Sequence, residues 1–164
     1  MRPFRRRGDE LVARFVDAEA SIVGLLLDQL EQLLTADPDD SRGDPVLDRL
    51  LPAGHEDPQV ATEYRDLTES ALRESKADDL ATVRATLPAE GGEVRLDGEQ
   101  ARAWLRTTND LRLALGTRLG VSADTEPPED PAGEEGSQLT VYYWLTAVQG
   151  SLVDALAAGR GGRR

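Results

Sequence analysis

The most regular feature of the chain is a four-residue repeat of apolar positions, Ile22, Leu26, Leu30 and Leu34, broadened by Val23, Leu27 and Leu33. Side chains at that spacing share one side of an α-helix. The stretch therefore predicts an amphipathic helix of about five turns, with Asp17 as its N-cap. Ahead of it, residues 4–15 form two short mixed stretches around Gly8 and Asp9, the pattern of a small strand pair with a tight turn. Behind it, residues 37–43 are polar and punctuated by Pro38 and Gly43. Val46, Leu47, Leu50 and Leu51 then make a short apolar piece, started by Asp44 or Asp48 and stopped by Pro52.

Helical spacing resumes after a second loop at residues 53–58. Val60, Tyr64, Leu67, Ala71 and Leu72 mark a helix over 59–72, and Leu80, Val83 and Leu87 mark another over 77–87, ended by Pro88 and the pair Gly91-Gly92. Val94, Arg95 and Leu96 predict a short strand. Asp97 followed by Gln100 has the form of a capping box, in which side chains satisfy the free amides of a first helical turn. The helix it opens runs through Ala101, Trp104, Leu105, Thr108, Leu111, Leu115 and Leu119 to Gly120, a glycine C-cap. Residues 122–137, rich in Pro, Gly, Asp and Glu, predict a flexible acidic loop. Residues 139–158 are apolar almost all round and predict the central buried helix.

These elements predict a mostly α fold: a single helical domain over residues 9–158, with room for a small antiparallel β-sheet at the N-terminus. A basic arm at 1–8 and an Arg/Gly tail at 159–164 flank it. The helices beginning at Asp17, Asp97 and Leu139 should pack around one core. A length of 164 residues suits one such core.

Composition narrows the chemistry. The chain has no cysteine and one histidine, which excludes a disulfide framework, a zinc finger, an iron–sulfur site and a thiol nucleophile. Net charge is −12. Setting aside Arg2, Arg5, Arg6, Arg7, Arg160, Arg163 and Arg164 leaves twelve basic residues against thirty-one acidic ones, a balance of −19. Such a body disfavours binding to a phosphate backbone, so nucleic acid is an unfavoured partner. The longest apolar run is far short of the roughly 20 residues of a spanning helix, and the N-terminal arginines lack the apolar stretch of a secretory signal. The expectation is a cytoplasmic protein without a membrane partner.

Two stretches carry the candidate site. In Trp104 to Gly120, Asn109 and Asp110 sit mid-helix, although both compete for backbone hydrogen bonds. Arg106 and Asp110 share a face, and Arg112 lies on another. Polar groups among apolar neighbours need partners, so Arg106, Asn109, Asp110 and Arg112 predict a polar network tying this helix to the last one, or a ligand or partner pocket. The second stretch is Tyr142, Tyr143 and Trp144, followed by Leu145, Thr146 and Gln149. Consecutive aromatics on a helix point in different directions, so they divide between core packing and a partner-binding surface.

The NDLRLALGTRLGV and YYWLTAVQGSLVDAL runs together, with GDPVLDRLLP at residues 43–52 and GGEVRLD at 91–97, resemble an actinobacterial domain-of-unknown-function family. Part of that family is called the oxidative-stress regulator (AosR) family, and its members are commonly encoded beside the ClpS protease adaptor. The resemblance covers most of the chain in matching order. It implies redox-linked transcription control through a protein partner, a sigma factor or another transcription component. Thiol sensing is outside the reach of a chain without cysteine.

Other signals are thinner. Asp37, Asp39, Ser41 and Asp48 have part of a calcium-loop spacing, but Arg42 stands where such loops need Gly. His55 stands alone in a loop. The expectation is therefore a non-enzymatic regulatory or adaptor protein that binds another protein, with no metal, no cofactor and a homodimer allowed. The alternatives are a small-molecule site or enzyme pocket near Asn109–Arg112, and a direct DNA-binding regulator using Arg5, Arg6 and Arg7.

Overall fold

The computed structural model describes residues 1–36, 43–51, 58–122, 124–125 and 134–161, without the side chains of 58–67, 134–136 and 160–161. Most of the expected loops at 37–43 and 53–58, most of the acidic loop at 122–137, and residues 162–164 lie outside this description. The fold is mostly α with a small sheet. Its elements are β1 (Arg2–Arg7), β2 (Glu10–Phe15), α1 (Asp17–Thr35), α2 (Pro45–Leu50), α3 (Pro58–Thr86), β3 (Gly92–Leu96), α4 (Gly98–Leu119) and α5 (Glu134–Gly161).

The N-terminal residues set apart as a basic arm form β1, which pairs antiparallel with β2. Gly8 opens the two-residue turn between them at φ 62°, a conformation that glycine adopts without steric cost. β2 in turn pairs antiparallel with β3, giving the strand order β1-β2-β3. Alternation puts Leu11, Ala13 and Phe15 on the inner face beside Val94 and Leu96, all of them buried. Arg6 reaches across to α5 and donates to the Ala155 carbonyl at 3.2 Å.

Helix ends follow local chemistry. α1 starts one residue after its N-cap, which is Val16 rather than Asp17, because the Glu19 carboxylate accepts from the Val16 N–H at 2.8 Å. Asp17 then lies in the first turn, where a negative charge favours the helix dipole. At α2 the Asp44 side chain accepts from the Val46 N–H. The capping box at α4 is formed, with Asp97 accepting from the Gln100 amide at 2.8 Å and Gln100 from the Asp97 amide at 3.0 Å. Gly120 closes α4 in the left-handed region, and the Val121 N–H returns to the Gly116 carbonyl.

Two helices differ from the sequence pattern. The helices expected at 59–72 and 77–87 are one, α3, because no Gly or Pro interrupts the intervening residues and their charged side chains are good helix formers. α5 is not buried all round. Its buried residues Leu145, Val148, Leu152 and Ala155 form one stripe, while Ala147, Gly150, Val153 and Ala157 are exposed. Small residues there raise the apolar count without adding a buried surface.

α4 is the central helix instead, packing against α1, α2, α3 and α5 and against β2 and β3. Trp104 anchors it at 2% exposure, with Phe4 at 5.5 Å and Phe15 at 5.7 Å between ring centroids. The indole N–H donates to Thr86 Oγ1 at 2.7 Å, so the polar end of the largest buried side chain is satisfied.

Candidate functional site

The four polar residues picked out on α4 divide between two neighbours. Arg106 and Asp110 are one turn apart and meet α3, where Lys76 and Asp79 are also about one turn apart. Arg106 donates to both carboxylate oxygens of Asp79, at 2.8 and 2.9 Å. Lys76 donates to both oxygens of Asp110, at 2.8 and 2.9 Å. The Arg106 guanidinium is open to water, whereas Asp110 is buried. Burial pushes the Asp110 carboxyl above the usual carboxylate range. The hydrogen bonds and charge of Lys76 oppose that shift, and the charge of Asp79 adds to it.

Asn109 and Arg112 face α5. Gln149 bridges them: its amide N–H donates to Asn109 Oδ1 at 3.3 Å, and its Oε1 accepts from Arg112 Nη1 at 2.5 Å. The Arg112 guanidinium also lies 5.7 Å from the centre of the Tyr142 ring, a cation–π arrangement. Within this region Thr107 Oγ1 and Arg112 Nε are buried without a hydrogen-bond partner among the described residues.

Each of the three consecutive aromatics has its own place. Tyr142 packs directly over Gly116 of α4, where an added Cβ would lie 2.9 Å from its ring. Tyr143 stacks edge-on against Tyr142, with centroids 5.5 Å apart, and its hydroxyl donates to the Thr125 carbonyl at 3.2 Å. Trp144 turns to the core and meets Phe15 edge-on at 6.0 Å. All three are partly buried.

The structure thus joins the two stretches through Arg112 and Tyr142, and sends Arg106 and Asp110 to α3. Sequence reasoning missed Lys76 and Asp79. Lys76 is the single lysine of the chain, which is a compositional signal, but its pairing across helices has no local signature.

Among the described residues no group of three or more His, Asp or Glu side chains is placed to hold a metal ion. Asp37, Asp39, Ser41 and His55 lie outside the described residues, and Asp48 belongs to α2. No described helix is long and apolar enough to cross a membrane.

A family model described as "Domain of unknown function (DUF2017)" matches residues 1–156. The chain is 35% identical over 134 residues to the "Oxidative stress regulator AosR" of Mycobacterium tuberculosis (strain ATCC 25618 / H37Rv), covering 72% of this chain and 61% of the relative. The protein of that name in Mycobacterium bovis (strain ATCC BAA-935 / AF2122/97) matches equally. The "Putative oxidative stress regulator AosR" of Mycobacterium leprae (strain TN) is 35% identical over 130 residues, or 70% of this chain and 59% of the relative. The match spans about three fifths of the length of these relatives. No solved structure matches.

Proposed function

The chain belongs to the DUF2017 family, and from that premise we propose that it is a non-enzymatic regulatory or adaptor protein acting through a protein partner in oxidative-stress-linked transcription control. The observation that carries this reading is its 35% identity to proteins named oxidative stress regulators. Geometry supports it from a second side. Arg106, Asn109 and Asp110 are engaged by Asp79, Gln149 and Lys76, and the chain's most conspicuous polar residues are spent on holding α3, α4 and α5 together.

A chain without cysteine cannot form a disulfide or a sulfenic acid, so an oxidative signal reaches it through the partner. The acidic balance of the chain suits a partner with a basic surface. A sigma factor or another component of the transcription machinery is the partner class the reading selects.

Affinity capture of the tagged chain from its host after reversible crosslinking, with and without oxidant, tests this. Repeatable recovery of a sigma factor or RNA polymerase is expected. Recovery of a protease or its adaptor would move the protein to proteolysis and overturn the transcription reading.

A further inference from the structure

The outer face of the sheet carries a charge opposite to that of the chain as a whole. Residues paired across antiparallel strands share a face, so the register sets Arg2 beside Arg14, Arg5 beside Val12, and Arg7 beside Glu10. On β3, Glu93 continues the row of Arg14, and Arg95 the row of Val12. Five arginines and two glutamates give this face +3, in a chain whose net charge is −12.

Arg95 takes both glutamates, at 3.1 Å to Glu10 and 2.5 Å to Glu93. Arg2, Arg5, Arg7 and Arg14 remain exposed and have no carboxylate partner among the described residues. Val12, set between Arg5 and Arg95 by the register, lies on the same face and is 5% exposed. Four guanidinium groups on one short sheet with no carboxylate partner among the described residues form a surface shaped for an external anion.

We propose that the outer face of the β1-β2-β3 sheet docks a short acidic segment of a partner protein, whose carboxylates pair with Arg2, Arg5, Arg7 and Arg14. Guanidinium forks match carboxylates in bidentate geometry, and a strand of six residues spans about 20 Å, room for a few acidic side chains. A nucleic-acid duplex is the other polyanion of this chemistry. It would run past the sheet and set its phosphates against a remainder that carries −15. Nor does the face offer a stacking platform for single strands, since Phe4 and Phe15 point into the core. The inference rests on the protein-partner reading, but its test uses the purified chain alone, so failure here leaves the crosslinking result standing.

The probe is a fluorescent oligoglutamate of about six residues, the length of an extended segment matching a six-residue strand, titrated with the full chain. Binding that weakens from low to physiological ionic strength is expected. Arg5→Ala with Arg14→Ala should weaken it about tenfold, and Arg5→Lys with Arg14→Lys, which keeps the charge but loses the bidentate forks, should weaken it less than the alanine pair. Arg49→Ala with Arg118→Ala removes the same charge elsewhere and should leave it unchanged. Equal losses in the two alanine pairs, or tighter binding of a short DNA duplex than of oligoglutamate, would overturn the proposal.

Discussion

The ε-ammonium of Lys76 on α3 lies 2.8 and 2.9 Å from the two carboxylate oxygens of Asp110 on α4, and it is the only lysine in the chain. Side-chain exposures of 16% and 8% mean that both ions have left most of their water behind. The pair therefore fixes how α3 lies on α4 more than it adds stability, because desolvation offsets most of the attraction. In keeping with this, burial and the charge of Asp79 together raise the Asp110 pKa against the opposing effect of Lys76.

Removing one partner should be far worse than removing both. Lys76→Ala leaves a buried carboxylate alone and should cost about 2 kcal/mol, less than a fully buried pair because Lys76 keeps some water. Lys76→Met with Asp110→Leu should return to within about 1 kcal/mol of the natural chain. Urea unfolding of the single and double variants checks the cycle.

The same carboxyl sets a pH dependence of unusual sign. Its folded-state pKa is raised above the unfolded value, so the folded chain keeps the proton where the unfolded chain has released it. The contribution is full below the unfolded value and is lost as pH rises through the folded one. The stability difference between the natural chain and Asp110→Asn should therefore fall as pH rises through this window. Unfolding curves at a series of pH values measure it, and a pH-independent difference would contradict the assignment.

Gly116 permits the close approach of α5. A Cβ there would lie 2.9 Å from the Tyr142 ring, so Gly116→Ala should destabilise by about 2 kcal/mol, despite the better helix propensity of Ala. In a Tyr142→Ala background the same change should be neutral or stabilising. Thermal unfolding of the four chains separates packing from propensity.

Gly91 carries a harder constraint. Its φ is 84°, and a Cβ would lie 2.7 Å from the Asp17 amide nitrogen and 2.9 Å from the Phe15 carbonyl oxygen. Both atoms are backbone at the junction of β2 and α1 and cannot step aside. Gly91→Ala should cost about 3 kcal/mol, read by denaturant midpoint.

Local chemistry was legible from the residues. The capping box at Asp97 and Gln100, the glycine C-cap at Gly120, the turn at Gly8 and the strand at Val94–Leu96 all depend on neighbours a few positions away. Properties that depend on distant contacts were less legible. Counting apolar residues places α5 at the centre, but Ala and Gly can face water at little cost, and α4 is central because Trp104, Leu111 and its small buried residues let neighbours pack on several of its sides. The division of Arg106 and Asp110 from Asn109 and Arg112 follows from where α3 and α5 lie, and no spacing within α4 encodes it. The basic sheet face was hidden for a related reason. Arg14 and Arg2 are distant in sequence and become neighbours only through the strand register.

The regulatory reading rests on a partner in the transcription machinery, and co-sedimentation of the purified chain with RNA polymerase from the same host tests it most directly. Core enzyme and sigma-containing holoenzyme should be compared, each with and without hydrogen peroxide. The chain should move with the holoenzyme or with a free sigma factor, and oxidation of the partner should change how much is bound. Migration of the chain as a separate species under every condition would contradict it.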